Sequence, residues 1–208
     1  MVHKSNRRST SGRLPPPRAR RYDARRDGIL RAAARMFRER GFADTGMRDI
    51  AEASDLSPAN LYHYFNGKDE ILFYCQDRAL DRMLAGVADA RRRFARADER
   101  LSAVLTTHVL TMLDEVEGAT AHLQVDALAP PLRARIVRKR DRYERALRRL
   151  VIEGMGDGTF AEGDAALITR AMLGALNWVV TWYRPDGGDA PARIAEELAT
   201  FLGRALRN

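Results

Sequence analysis

Apolar residues recur every three or four positions along most of the chain, which is the spacing of one face of an α-helix. In the segment from about Asp23 to Arg40, for example, Ile29, Ala33 and Phe37 follow this spacing, and the next residue is a glycine that can end the helix. The pattern predicts an all-α protein without strands. About nine helices are expected: 23–40, two short helices within 45–65, 66–92, 101–116, 120–128, 132–153, 164–183 and 191–206.

The most distinctive segment is TGMRDIAEASDLSPANLYHYFNGKD, in which two short helices and the start of a third follow one another closely. Ser57 followed by Pro58 is a strong start signal for the second short helix. A helix of about two turns needs tertiary packing, and Leu61 and Phe65 supply a packing face, with Tyr64 expected to pack on the first helix. Polar and aromatic side chains remain on its other face, which predicts a helix-turn-helix whose second helix reads DNA. The residues on this other face are Ala59, Asn60, Tyr62 and His63.

Two longer patterns contain this segment, ILRAAARMFRERGFADTGMRDIA and LYHYFNGKDEIL. Together they resemble the DNA-binding domain of the TetR family of bacterial transcriptional repressors, without a gap over about residues 24–72. The resemblance implies a TetR-like fold with a three-helix DNA-binding domain at 23–69 and a helical ligand-binding and dimerisation domain at 70–208. Gly46 and Gly67 depart from the family pattern, which more often has Thr or Ser at the first position and Ser or Asn at the second.

The resemblance also implies roles in DNA recognition. Asn60 lies where the family reads base edges, and an Asn side chain can pair with adenine through two hydrogen bonds. Tyr62 and Lys68 fall where the family grips phosphates. Thr45 and Arg48 begin the first short helix, whose backbone N–H groups favour a phosphate, and Thr45 can also cap it. The predicted DNA contacts are Thr45, Arg48, Ser57, Pro58, Ala59, Asn60, Tyr62, His63 and Lys68.

The net charge of +8 is concentrated at one end of the chain. Residues 1–22 hold seven basic side chains and no acidic one, whereas the other 186 residues carry 29 basic and 28 acidic groups. The same 22 residues are rich in Ser, Arg and Pro, so we expect a disordered basic arm. Beside a reading helix, such an arm would add phosphate or minor-groove contacts.

The C-terminal half is expected to sense a small molecule. The motif GALNWVVTWYRPDGG, with the upstream turn GDGTF, resembles a TetR subgroup that controls the breakdown of fatty acids, steroids and aromatic acids. Several members of that subgroup respond to acyl-CoA thioesters, whose phosphates need arginines. The arginine-rich segment 133–149 could supply them, although such a run can equally be a solvated face. Candidate ligand-binding residues, most of them also ordinary core residues, are Phe73, Tyr74, Met83, His108, Met112, His122, Tyr143, Asn177, Trp178 and Trp182.

The last two predicted helices are the expected dimer surface. Small residues in the first would let a second helix approach closely, and an apolar stripe follows in the final helix. In the TetR family the corresponding helices form a four-helix bundle with a second subunit, and two reading helices about 34–36 Å apart would read a palindrome. The longest apolar run, 171–183, is too short to span a bilayer, so it predicts a buried helix and no membrane partner. The predicted dimer residues are Ala171, Gly174, Ala175, Ile194, Leu198, Phe201 and Leu202.

Catalysis is not expected, because the sequence contains no nucleophile elbow, phosphate loop or metal-spaced cluster, and no cofactor is implied. Cys75 has no evident activating partner, and a lone cysteine without a signal peptide fits a cytoplasmic protein. Two functions remain open. One is a homodimeric repressor released from a DNA operator by a small-molecule effector, for which an acyl-CoA is a candidate. The other is a ligand-independent or architectural DNA-binding dimer, and an activator is a variant of the first.

Overall fold

The computed structural model describes residues 17–114 and 125–207. Within these ranges the protein is all-α, with eight α-helices and no strand. The predicted helix at 120–128 lies mostly outside the described residues, and its described end is a 3-10 turn at Val125–Ala127. The helices are α1 (Pro17–Arg40), α2 (Met47–Ala53), α3 (Pro58–Tyr62), α4 (Lys68–Arg93), α5 (Ala97–Leu113), α6 (Pro130–Gly156), α7 (Ala165–Trp182) and α8 (Pro191–Arg204).

The first helix begins earlier than the sequence predicts, at Pro17 instead of about Asp23. The prediction of disorder is therefore wrong for residues 17–22, which form the first turns of α1. Proline is favoured at a helix start because it has no N–H to leave unpaired. Tyr22 holds this extension in place, because its ring stacks on Tyr64 with 5.0 Å between ring centroids. Residues 1–16 of the predicted arm lie outside the described residues.

The N-terminal domain is a small bundle in which α1 packs on α2 and α4, and α2 packs on α3. Its core contains Phe37, Ile50, Leu61 and Phe65, all of them buried. Phe42 follows the glycine at the end of α1 and closes this core, with 5.2 Å between its ring centroid and that of Phe37. The core thus holds the two short helices, which have too few turns to be stable alone.

The C-terminal domain is built around α5, which packs on α4, α6, α7 and α8. The long helix α4 joins the two domains, since its N-terminal part packs in the DNA-binding domain and it also contacts α5 and α6. Asp164 caps α7 by accepting hydrogen bonds from the backbone N–H groups of Ala166 and Leu167 at 2.9 and 3.0 Å. The two halves are therefore connected by a continuous helix and a shared apolar core.

Candidate DNA-binding site and sensor cavity

The helix α3 has one buried and one exposed side. Ser57 caps it, because its Oγ accepts a hydrogen bond from the backbone N–H of Asn60 at 3.2 Å, and Pro58 occupies the first position. Leu61 and Phe65 anchor the helix in the core. The structure places four predicted contact residues together on the solvent side: Ala59, Asn60, Tyr62 and His63. The Tyr62 side chain, 54% exposed, is the largest group on this side.

The turn that precedes α3 depends on a backbone conformation that few residues adopt. Asp55 has a φ of +52°, in the left-handed region that is tolerated best by Gly, Asn and Asp. Its carbonyl oxygen accepts a hydrogen bond from Nη2 of Arg25 at 3.0 Å. This hydrogen bond connects α1 to the turn before α3.

Thr45 does not have the role that the sequence suggests. Its side chain is fully buried, and Oγ1 donates a hydrogen bond to the carbonyl oxygen of Gly41 at 2.7 Å, so it closes the α1–α2 turn. The cap of α2 is Gly46, whose backbone N–H is bound by the Asp49 carboxylate at 2.7 Å. A buried hydroxyl cannot reach a phosphate. Arg48 in α2 is exposed and therefore remains a candidate for this contact.

Lys68 is also occupied within the protein. Its Nζ donates to the carbonyl oxygens of Phe42, Ala43 and Thr45 at 2.9, 3.2 and 3.1 Å, and it lies 4.5 Å from the centre of the Phe42 ring. Three donors of an ammonium group match these three acceptors. Lys68 therefore ties the start of α4 to the loop between α1 and α2, and its phosphate contact stays a prediction.

The start of α4 also differs in detail from the prediction, which places it at residue 66. The cap residue is Gly67 and the first helical residue is Lys68. The Asn66 backbone N–H and side-chain amide both donate to one carboxylate oxygen of Glu70, at 2.7 and 2.9 Å. Tyr64 packs against the first helix as expected, through its stacking on Tyr22.

A cavity of about 400 Å³ lies in the C-terminal domain between α4, α5, α6 and α7. The structure brings four predicted ligand residues together in its wall: Met83, His108, Tyr143 and Asn177. Five wall residues are missing from the prediction: Leu80, Arg140, Asp141, Glu144 and Leu173. Helical spacing could have found several of them, because Leu80 is three residues from Met83, Arg140 is three residues from Tyr143, and Leu173 is four residues from Asn177.

A hydrogen-bonded chain crosses the cavity wall. Nδ1 of His108 is 3.1 Å from the Tyr143 hydroxyl, and Nε2 is 3.3 Å from Oδ1 of Asn177. Burial lowers the pKa of His108 to about 4, because desolvation disfavours the imidazolium, so the ring is neutral at pH 7. With Oδ1 of Asn177 as acceptor, Nε2–H donates to it, and Nδ1 accepts the Tyr143 hydroxyl proton.

Charged groups in the same wall make the cavity suitable for a ligand with both polar and apolar parts. Desolvation lowers the pKa of Arg140, although the negative charge of Asp126 opposes this effect. Asp141 and Glu144 add carboxylates, and one Glu144 oxygen accepts a hydrogen bond from Arg148 at 3.1 Å. Leu80, Met83 and Leu173 supply the apolar part of the wall. Such a mixture is typical of a small-molecule site.

The other predicted ligand residues lie elsewhere. Phe73 and Met112 are core residues, and Tyr74 packs edge-on against Phe65 of the DNA-binding domain with 5.9 Å between ring centroids. Trp178 and Trp182 are exposed on the outer face of α7. His122 lies outside the described residues. Residue type alone does not separate cavity from core or surface, because large apolar side chains occur in all three.

The outer face of α7 is an apolar surface in the single chain. The predicted dimer residues Ala171, Gly174 and Ala175 are exposed there, beside Trp178, which is 65% exposed. The expectation of a buried helix is therefore wrong for this chain alone. Among the described helices, α7 is long and apolar enough to cross a membrane by length and composition. Only 22% of its segment Ala165–Trp182 is buried inside the structure.

The final helix contributes less to this surface than predicted. Phe201 is 68% exposed, but Ile194 is buried in the core of its own chain, and Leu198 and Leu202 pack partly against that core. The stripe is apolar as predicted, yet its inner part faces α5, which α8 contacts extensively.

The described residues contain no cluster of three or more His, Cys, Asp or Glu side chains that could hold a metal ion.

Comparison with known proteins decides the family. The sequence model described as "Bacterial regulatory proteins, tetR family" matches residues 29–75, which include α2, α3 and the start of α4. The model described as "Tetracyclin repressor-like, C-terminal domain" matches residues 95–206. The chain belongs to the TetR family. The predicted family and the all-α TetR-like fold are thereby confirmed, and family members are transcriptional regulators.

Individual relatives of this TetR-family protein agree with the assignment. It is 29% identical over 190 residues to the HTH-type transcriptional repressor KstR2 of Mycobacterium tuberculosis, covering 87% of this chain and 92% of the relative. The TetR-family regulator PfmR of Thermus thermophilus has 34% identity and a TM-score of 0.78, covering 86% of this chain and 99% of PfmR. AibR, solved with isovaleryl coenzyme A and operator DNA, has 26% identity and a TM-score of 0.73, covering 85% and 97% of the two chains.

Proposed function

We propose that this TetR-family protein is a homodimeric, cytoplasmic transcriptional repressor that binds a palindromic operator through α3 and is released by a small-molecule effector. The observation that carries the proposal is the two-sided construction of α3. Leu61 is buried in the core, while Asn60, Tyr62 and His63 face solvent on a helix that could not persist without that anchor. These exposed side chains can donate to bases and phosphates in a major groove.

The apolar face of α7 supports the dimer. Trp178, Trp182 and Phe201 would be costly to leave in water, and a second copy of the same face would cover them. The small residues at 171, 174 and 175 leave room for the two α7 helices to cross closely. One short reading helix gives modest affinity, so two of them on successive major grooves supply both the affinity and the palindromic specificity.

The effector is proposed to bind in the cavity between α4, α5, α6 and α7, with an acyl-CoA thioester as the candidate. AibR binds isovaleryl coenzyme A, and it shares the fold and 26% of its residues with this chain. A cavity of about 400 Å³ lies at the lower end of the range for ligand sites, about 300–1,000 Å³, so it would hold an acyl group and not the nucleotide. Arg133 and Arg138 line a groove at the start of α6, where they could bind phosphates.

The proposal is tested by two measurements on the full chain. Bound fragments are first selected from genomic DNA, and footprinting should show a palindrome with half-site centres one helical turn apart. Thermal unfolding is then followed with isovaleryl-CoA and longer acyl-CoA esters, one of which should raise Tm and release the DNA. Free CoA and the free acids serve as controls. Failure to select any duplex would reject DNA recognition.

The ligand-independent alternative predicts a different second result. A selected duplex that stays bound, with Tm unchanged by every ester at high concentration, would favour a constitutive DNA-binding dimer. Release by the free acid instead of the ester would retain the repressor and exclude CoA recognition. A reporter gene behind the selected operator distinguishes repression from activation, because expression falls in the first case and rises in the second.

A further inference from the structure

Helix α6 has two functional faces. Arg140, Tyr143 and Glu144, spaced by three and four residues, lie in the cavity wall. Lys139 and Arg135, four residues apart, lie on a neighbouring face and contact α4. A displacement of α6 by a ligand in the cavity would therefore also displace these two cations relative to α4.

The contact made by Lys139 is unusually complete for a lysine. Its Nζ is 3.0 Å from the Asp77 carbonyl oxygen, 2.6 Å from the Asp77 carboxylate and 2.8 Å from the Asp81 carboxylate. The Lys139 and Asp77 side chains are only 18% and 26% exposed, so solvent screens this pair weakly compared with a surface pair, whereas Asp81 is 64% exposed. The three acceptors use all three donors of the ammonium group.

The residue after Asp77 continues the connection into the DNA-binding domain. Arg78 forms an ion pair with Asp27 of α1. Asp27 is two residues from Arg25, whose guanidinium binds the carbonyl oxygen of Asp55 in the turn before α3. Two ion pairs, Lys139–Asp77 and Arg78–Asp27, and the hydrogen bond from Arg25 to Asp55 thus lie in succession from α6 to the turn before α3, joined by the backbones of α4 and α1.

An aromatic path runs beside these ion pairs. The Arg135 guanidinium lies 4.5 Å from the ring centre of Phe73, which contacts Tyr74 with 5.3 Å between centroids. Tyr74 in turn contacts Phe65 at the end of the reading segment and carries the Arg26 guanidinium of α1 at 3.9 Å. Phe73 and Tyr74, predicted as ligand residues, are therefore placed between the cavity helix and the reading head.

We propose that Lys139 is a positioning residue that couples the cavity to the DNA-binding domain, with the Phe73–Tyr74 pair as a parallel mechanical contact. The inference rests on the proposed function, because it assigns the route by which cavity and operator influence each other. Contact between packed helices and ion pairs is the kind of continuous network that can carry such coupling. Since coupling is reciprocal, DNA binding must also alter α6, and this can be measured without knowing the effector.

The test uses hydrogen exchange of the full-length protein with and without the tightest duplex from a random-sequence selection. In the wild type, the duplex should slow exchange in α3 and also change exchange in α6. In Lys139→Met, the protection of α3 should remain at equal DNA occupancy, while the DNA-dependent change in α6 becomes smaller than in the wild type, because only the Phe73–Tyr74 contact remains. Lys139→Arg should restore that change, because a guanidinium can still bind both carboxylates.

A matched control is Arg142→Met, which removes an exposed cation one turn further along α6 and should behave as wild type. A purely structural role for Lys139 would raise exchange of α6 equally with and without DNA, leaving the difference intact, and would overturn the proposal. An α6 that ignores DNA in the wild type while α3 is protected would also overturn it. If no duplex protects α3, the proposed function itself fails and the coupling with it.

Discussion

The candidate DNA-contacting side chains of α3 come from one run of consecutive residues, whereas the cavity takes its wall from four helices between Leu80 and Asn177. Leu61 and Phe65, four residues apart, are buried, while residues 59, 60, 62 and 63 are exposed, so the local pattern predicts the candidate site. In the cavity, His108 meets Tyr143 35 positions away and Asn177 69 positions away. A local site can be read from spacing, while a site assembled from distant helices depends on how the helices pack.

The largest expected effect separates packing from reading within α3. Leu61 is completely buried, so Leu61→Ala leaves a cavity and should destabilise the protein by about 2–5 kcal/mol. Chemical denaturation followed by circular dichroism measures this loss, and DNA binding should disappear as the domain unfolds. A variant with unchanged stability would show that α3 does not depend on this anchor.

The second prediction concerns the apolar face of α7. Trp178→Glu places a charge on a surface proposed to be covered by a second copy, and should weaken dimerisation by about 2–4 kcal/mol. Sedimentation equilibrium measures the dimer constant. Ile152→Glu is the matched control, because Ile152 is an exposed apolar residue on α6, outside this face. Equal effects of the two substitutions would argue against a specific interface.

The buried histidine of the cavity predicts a pH dependence of stability. The pKa of His108 is lowered to about 4 by burial, against about 6.5 when unfolded, so the unfolded state takes up the proton first. Its contribution to stability is complete above pH 6.5 and is lost as the pH falls towards 4. The loss should be about 3 kcal/mol in total, with about 2 kcal/mol by pH 5.

His108→Gln removes this titration while keeping an amide that can bind Tyr143 and Asn177. Urea midpoints of the two proteins between pH 7 and pH 5 measure the difference, and the variant should show the flatter profile. Asp141, Glu144 and Arg140 line the same cavity and are present in both proteins, so the difference between the two profiles reports on the substitution at position 108. Parallel profiles would show that His108 is not neutral and buried.

A smaller effect is expected on the exposed side of α3. Tyr62→Ala should weaken operator binding by about 1–3 kcal/mol and leave the unfolding free energy unchanged, the opposite of the expectation for Leu61→Ala. Footprinting titrations of the selected operator measure the affinity. Tyr62→Phe separates the contribution of the ring from that of the hydroxyl, since it retains the ring and removes only the hydroxyl that can bind DNA. An unaltered affinity for the Ala variant would move the reading face away from Tyr62.

The smallest effect concerns the turn before α3. Asp55 adopts a positive φ, so Asp55→Ala should lower stability by about 1 kcal/mol, while Asp55→Gly should leave it nearly unchanged. Thermal unfolding of the two variants under identical conditions gives the comparison. A Gly variant as unstable as the Ala variant would show that the Asp side chain, and not the backbone angle, matters at this turn.

Sequence patterns predicted the helices and the two sides of α3 well, because both depend on spacing within a few residues. The internal contacts of Thr45 and Lys68 were not predicted. The Thr45 hydroxyl binds the carbonyl of Gly41, four residues earlier, in a turn that the pattern of apolar residues does not specify. The Lys68 ammonium binds three carbonyls of the loop between α1 and α2, and because these lie more than 20 positions away, nothing in the local pattern shows that they are within reach.

The same distinction applies to the apolar and aromatic residues of the C-terminal half. Phe73, Met112 and Trp178 are similar in apolar character, yet they lie in a helix-to-helix contact, in the core and on the outer face respectively. Tyr143 and Asn177 enter the cavity because α6 and α7 pack on α5 in a particular orientation. The charge pattern of α6 likewise gives no sign that Lys139 binds α4 while Arg142 faces solvent.

The sequence alone determined the family, the helical class, the cap and anchors of α3 and the side chains that it exposes, since these follow from periodicity and from residue preferences over one or two turns. Tertiary structure alone decided which of the candidate residues form the cavity, which cations are used internally and which apolar face is left for a partner. The physical reason is distance along the chain. Contacts between residues 35 or more positions apart arise from the packing of whole helices, and a local pattern does not specify that packing.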